Sequence, residues 1–372
     1  MADDLTRPLG LKPQRPARGP GRWYLLGGGA IAIAVLAGIG AWVYLQPPPG
    51  PTATAVIDAP PPVTVERTGS TKALTEIPAD GLTEQKPTGG LSEPGKLVIH
   101  NPSDPAVMRL AYAPQPALVE DGPDGPLPQV AADGTRPLDA YARPSTARPN
   151  DMRIAIVIGG VGIDQETSDL AIGLPGDVTL ALAPYGDDLK KTLGAARQAG
   201  HEILLQIPLE PFNYPKTDPG PQTLTVDASP DENIARLHWL MGRTTNYVGV
   251  INYMGARFTG ERTALAPVMK EIGQRGLLYL DDGSSARSQA ATLAGATPVV
   301  RADLVLDADL SPEAIDARLD QLRALARERG YAIATGTAFP ATIDRVAAFA
   351  KIAADRGITI VPISALASAG RS

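Results

Sequence analysis

The chain has 372 residues, a formal net charge of −6 and no cysteine. The acidic balance excludes a nucleic-acid binder, which needs a basic face to displace counterions from phosphates. The missing thiols exclude disulfides, thiolate metal sites and a cysteine nucleophile, and a hydrophobic share of 44% excludes wholesale disorder.

Residues 1–22 form a basic tail carrying Arg7, Lys12, Arg15, Arg18 and Arg22. Residues 23–45 follow without a charge, and a run of about 20 apolar residues crosses the roughly 30 Å hydrocarbon layer of a bilayer. Trp23 and Tyr24 at one end, with Trp42 and Tyr44 at the other, suit the two membrane interfaces. The positive-inside rule then keeps the tail cytoplasmic and exports the rest. This predicts one transmembrane helix in a bacterial inner membrane with a periplasmic main domain. A cleaved signal peptide is the competing reading. Its apolar core would be shorter, about 7–15 residues, and Gln46-Pro47-Pro48-Pro49 is a poor cleavage site.

Of the 37 prolines, 20 lie between Pro47 and Pro149, which marks off the next region. Residues 46–110 read as a Pro-rich linker without enough apolar surface to offset ordering entropy. In residues 111–150 apolar anchors alternate with turn residues, which predicts an extended strap lying on the domain.

From 151 to 368 the periodicity is regular. Strands are expected at 153–158, 178–183, 202–207, 247–251, 276–280, 304–306, 331–335 and 358–362. Helices are expected at 165–173, 188–199, 230–242, 261–273, 286–294, 311–329 and 341–355, with Asp231 and Ser311 as start signals. Gly200, Gly276, Gly330 and Gly357 are the stops. Short, wholly apolar strands separated by helices indicate an α/β fold with a parallel sheet, either a barrel or a doubly wound sheet. In both, ligands collect at the carboxyl ends of the strands. Those ends carry Gly159-Gly160, Pro184-Tyr185, Pro208-Leu209-Glu210, Asn252-Tyr253-Met254-Gly255, Asp281-Asp282-Gly283-Ser284-Ser285, Asp307 and Gly336-Thr337.

In that order the set resembles the divergent polysaccharide deacetylase family, over roughly residues 152–367. The carrying pieces are Gly159–Gly162, Pro208-Leu209-Glu210-Pro211, Asp218-Pro219-Gly220-Pro221, Asn252-Tyr253-Met254-Gly255-Ala256 with Phe258-Thr259, Asp281 with Arg287-Ser288, Arg301 with Asp307, and Gly336 with Pro340 and Thr342. The resemblance implies a (β/α)7-type deacetylase-like barrel. It also implies a divalent metal such as zinc, held by an aspartate and two histidines, which polarises the acetyl carbonyl and acidifies water. Here the family's aspartate pair is replaced by Gly159 and Gly160, and its histidines by Gln206, Tyr253 and Thr337. Of the three histidines, His100 lies in the linker, His201 at the far end of a strand and His238 inside a predicted helix. No metal ligand set and no cofactor are therefore expected.

Asp281, Asp282 and Glu210 are the candidate catalytic carboxylates. Asp281 is read as pointing into the mouth, and the pair is read alternatively as capping the next helix. Glu210 is read either as a second mouth carboxylate or as turn scaffolding. Gln206, Asn252, Tyr253, Arg257, Ser284 and Thr337 are the candidate substrate-binding residues. Asn252 and Tyr253 are placed to bond and stack on a sugar ring, or else are satisfied core groups. Arg257, Arg287 and Arg301 hold an anion or pair with nearby aspartates. Three functions follow: a metal-free binder of a cell-envelope glycan tethered to the inner membrane, a carboxylate-based glycan hydrolase, or an envelope scaffold acting through protein partners.

Overall fold

The computed structural model describes residues 110–367, apart from Tyr112 and Pro149. The expected linker, transmembrane helix, basic tail and His100 lie outside the described residues. Among those described, no helix is long and apolar enough to cross a membrane.

Residues 111–150 fold more than a plain strap would. Strands β1 (Val119–Gly122) and β2 (Gly125–Pro128) pair as an antiparallel hairpin, and a short helix α1 (Pro137–Ala140) follows. Then come β3 (Met152–Val161), α2 (Gln165–Ile172), β4 (Thr179–Leu182), α3 (Leu189–Gln198), β5 (Ile203–Leu209), α4 (Pro230–Met241) and β6 (Gly249–Met254). The chain continues through α5 (Arg262–Gln274), β7 (Leu278–Asp281), β8 (Val299–Arg301), β9 (Leu304–Val305), α6 (Pro312–Arg329), β10 (Tyr331–Thr337), α7 (Pro340–Ala353), β11 (Ile358–Ile360) and α8 (Ser364–Ala367).

The sheet is parallel throughout, in the order β8-β7-β6-β5-β4-β3-β10-β9, with β11 beside the start of β3. The two edge strands β8 and β9 do not pair with each other. Only Ala302 and Asp303 separate them, and Ala302 N donates to Asp281 O while Asp303 N donates to Ile333 O. One bent segment thus joins both edges of the sheet. The expected closed (β/α)7 barrel is an open parallel sheet whose circuit is completed along the chain rather than by a ladder.

Alternation along the strands separates two cores. Ile154, Ile156 and Ile158 of β3 face the helices together with Leu180, Leu205 and Val250. Ala155 and Val157 face the lumen together with Ala181, Leu204, Leu278, Leu280 and Ile333. Leu118, Leu138 and Tyr141 from the N-terminal segment, with Val361, Ile363 and Leu366, fill the lumen at the amino ends of the strands. That end is closed.

A buried polar network fixes this closure. Glu202, fully buried, accepts from Arg143 N (3.0 Å) and from both N and Oγ of Ser364. Arg143 reaches Asp177 Oδ1 (2.8 Å) and Gly200 O (2.9 Å); Arg197 donates to Tyr141 O (2.7 Å) and Ala111 O (3.0 Å). Burial pulls the Arg197 guanidinium down to about 10, against the attraction of Glu202. Burial likewise pushes the Glu202 carboxyl up, opposed by its Ser364 and Arg143 donors and by Arg197.

Two local expectations are corrected. The cap of α4 is Ser229 rather than Asp231: its hydroxyl accepts from Glu232 N and the Glu232 carboxylate returns a bond to Ser229 N. The helix expected at 286–294 is a series of turns. Ser285 Oγ accepts from Arg287 N and Ser288 Oγ from Ala290 N, so hydroxyls compete locally with the helical ladder. Gln289 N meanwhile bonds Thr259 O.

Glu202→Ala is expected to destabilise the fold by about 3 kcal/mol or more, because it orphans buried donors and leaves Arg197 without its counter-charge. Ser229→Ala should cost about 1 kcal/mol. Urea titration followed by circular dichroism reads both; equal losses would refute the ranking.

Candidate functional site

With the amino end closed, the carboxyl ends of the strands open into a cavity of about 710 Å³. Its wall includes Gly159 and Gly160 from β3, Gln206 and Pro208 from β5, Asn252 and Tyr253 from β6, and Asp282 and Ser284 beyond β7. Val305, Asp307, Thr335 and Thr337 complete it opposite, and Ile163, Tyr185 and Phe339 stand around the opening.

The centre of this wall is set by glycine. A Cβ on Gly159 would lie 2.6 Å from Gln206 Nε2, so a side chain at 159 would push the Gln206 amide from its present place. Gly160 sits at φ 77°, a left-handed conformation that costs a side-chain-bearing residue roughly 1 kcal/mol. Its N–H donates to Gln206 Oε1 (2.8 Å), and Gly159 O accepts from Ala338 N (2.9 Å). That first bond assigns Oε1 as the acceptor, leaving Nε2 as a donor at the cavity surface.

On β6, Met254 takes φ 59° and Asn252 Nδ2 bonds Met254 O (2.7 Å), so the chain turns sharply there. The turn leaves Tyr253 42% exposed at the mouth. The other end of the Asn252 amide accepts from Asp282 N (3.0 Å) and Tyr279 Oη (3.3 Å). Asn252 is thereby a bracket within the wall, and Tyr253 is the side chain presented to a ligand.

The adjacent aspartates part company. Asp282 lines the cavity; its Oδ1 accepts from Ser284 N (2.9 Å) and Ser284 Oγ (2.7 Å). Asp281 shares the helix-facing side of β7 with Tyr279, is 3% exposed and accepts from Gly283 N (3.0 Å). It does not point into the mouth as expected. Burial pushes the Asp282 carboxyl above its ordinary value of 3.8, with a smaller push from Asp281.

Glu210 also stands outside the cavity. It is 2% exposed, accepts from Val226 N (2.6 Å) and forms an ion pair with Arg257, which also reaches Asp227 Oδ1 (3.5 Å). These bonds clamp the ends of the loop 211–226. Tyr185 Oη donates to Pro221 O (2.5 Å) and holds the same loop over the cavity, where Pro219 joins the wall. The two proline-rich motifs thus make one wall, and Arg257 serves that wall rather than an anion.

Asp307 carried no assigned role from its sequence, yet it lines the cavity and accepts from Thr337 N (2.5 Å) and Thr342 Oγ1 (3.0 Å). Its signals were its place after a strand and its pairing with Arg301 in the family resemblance, and β9 is only two residues long. Asp164 and Thr335 were missed as well; Asp164 caps α2 through Thr167 N (2.9 Å).

The donor set does not fit the metal that the resemblance implies. Amide, phenol and hydroxyl groups stand at Gln206, Tyr253 and Thr337, and among the described residues no three His, Cys, Asp or Glu are grouped to hold an ion. His201 is fully buried with its ring nitrogens against Val178 O (2.8 Å) and Ile172 O (3.0 Å), and His238 pairs with Glu271.

Comparison with known proteins adds the following. The family model for divergent polysaccharide deacetylases matches residues 156–367. An uncharacterized protein of Escherichia coli (strain K12), YibQ, is 26% identical over 193 residues, which is 51% of this chain and 60% of that one. An uncharacterized Haemophilus influenzae protein is 25% identical over 193 residues, 51% of this chain and 68% of that one. The crystal structure of an uncharacterized protein from Agrobacterium tumefaciens C58 is 50% identical with a TM-score of 0.63, covering 65% of this chain and 99% of that one.

Two outcomes test the geometry. Gly159→Ala should displace the Gln206 amide and cost about 1 kcal/mol, and Gln206→Ala made on that background should recover most of it, a coupling within the usual 0.5–3 kcal/mol for touching residues; strict additivity would refute the contact. Because the folded Asp282 binds its proton more readily than the unfolded one, its charge costs stability above the raised folded value. Asp282→Asn is therefore expected to gain up to about 1 kcal/mol at neutral pH. That gain should vanish as pH falls through the raised value towards 3.8.

Proposed function

Since the chain belongs to the divergent polysaccharide deacetylase family, we propose that it binds a cell-envelope glycan at this cavity without the metal-dependent deacetylation implied by the resemblance. The observation that carries the reading is the Gly159–Gln206 contact. The amide occupies the space that a side chain at 159 would take, so the wall presents a neutral donor where a cation would need anionic and imidazole ligands. Tyr253 and Phe339, each 42% exposed at the rim, offer apolar faces to sugar rings, and Gln206 Nε2 and the Ser284 hydroxyl offer polar partners. The charge-free run at 23–45 with basic residues before it supports a tether in the inner membrane and a periplasmic domain.

The test uses the full-length chain in detergent, with isolated peptidoglycan and chito-oligosaccharides. Retention on the glycan, reduced about three- to tenfold by Tyr253→Ala, is expected, with no acetate released whether or not zinc is added. Failure to bind any envelope glycan would sink the reading. Hydrolysis instead rests on Asp282 and Asp307, the two strand-end carboxylates that share the cavity. Acetate or reducing sugar released by the native chain and lost in Asp282→Asn would establish that second reading in its place.

A further inference from the structure

The cavity is one-sided in charge. Asp164, Asp282 and Asp307 line it, and among the described residues its lining contains no Lys, Arg or His. Each of the three is fixed by neutral donors: Thr167 N for Asp164, Ser284 N and Oγ for Asp282, Thr337 N and Thr342 Oγ1 for Asp307. None of them forms an ion pair among the described residues. Arg287 lines a second, more open depression with Phe212, Ala256 and Ser285, which adjoins the cavity at Ser284. Thr335, on the lumen side of β10, also lines the cavity, and its hydroxyl is open to whatever fills it, water or ligand.

A neutral acetamide entering here would strip water from the half-buried Asp282 and Asp307 and return no charge, whereas an ammonium group would offset their desolvation, with Asp164 exposed at the rim adding its charge. The aromatic rings of Tyr185, Tyr253 and Phe339 at the opening favour the same choice, since ring faces attract cations and stack on the apolar faces of sugars. We propose that the cavity selects an amino sugar whose nitrogen is free, a de-N-acetylated hexosamine unit of a glycan, over its N-acetylated counterpart. This rests on the glycan-binding reading above.

Isothermal titration of the full-length chain with four probes tests it: the glucosamine tetramer, the N-acetylglucosamine tetramer, cellotetraose and tetralysine. The expected result is glucosamine tetramer binding about tenfold or more tighter than the other three. That preference should shrink as salt is raised and fall in Asp282→Asn and Asp164→Asn. Both replacements retain a side chain able to make the same turn and cap, and the salt series on the native chain needs no variant at all. N-acetylated tetramer bound as tightly as the free amine would overturn the inference and leave the glycan reading standing. Tetralysine bound as tightly as the amino sugar would also overturn it, reducing the site to a cation trap. Absence of binding to every sugar would take the glycan reading down with it.

Discussion

At the end of β3 a missing side chain and a neutral amide occupy the same small volume. Gln206 reaches across from β5 because Gly159 leaves room for it, and it is held there by the amide of Gly160, whose left-handed backbone most residues avoid. The chemistry of the mouth follows from this arrangement. The middle of the wall offers a fixed hydrogen-bond donor, and the carboxylates stand to either side of it, at Asp164, Asp282 and Asp307.

Much of this fold was legible because buried parallel strands leave an unmistakable record of short apolar runs ended by turn residues. Gly330 and Gly357, expected to stop helices, take φ 81° and 70°. What escaped were elements whose determinants are not periodic. Strand β8, three residues long, was not expected, whereas the two-residue β9 falls within the strand expected at 304–306. The false helix at 286–294 had helical spacing, but serine hydroxyls bonding neighbouring amides cannot be weighed from spacing alone. At the site, strand-end position nominated Tyr253, Asp282, Ser284 and Thr337 and the resemblance nominated Gln206, and all five line the cavity. It could not tell Asp281 from Asp282, because which of two neighbours faces the lumen depends on the pleat, and a one-residue difference reverses it. Glu210 was misplaced for another reason: its clamp on Val226 and Arg257 joins segments far apart in sequence.

The mouth also carries features that packing alone would not retain. Asp282 is held in surroundings that oppose its charge, and Tyr253 and Phe339 lie open to water. Perturbed groups and open aromatic faces gathered in one hollow are where a fold gives up stability for recognition. At the closed end Glu202, Arg143 and Arg197 answer one another's polar atoms and those of the neighbouring backbone.

That closed end has a geometrical consequence. Leu110 N donates to Arg197 O and Ala111 O accepts from the Arg197 guanidinium, so the described chain enters the domain beside the amino ends of the strands. The point where the described chain enters and the mouth of the cavity therefore lie at opposite poles of the sheet, so a ligand at the mouth meets no part of the entering segment from Leu110 onward.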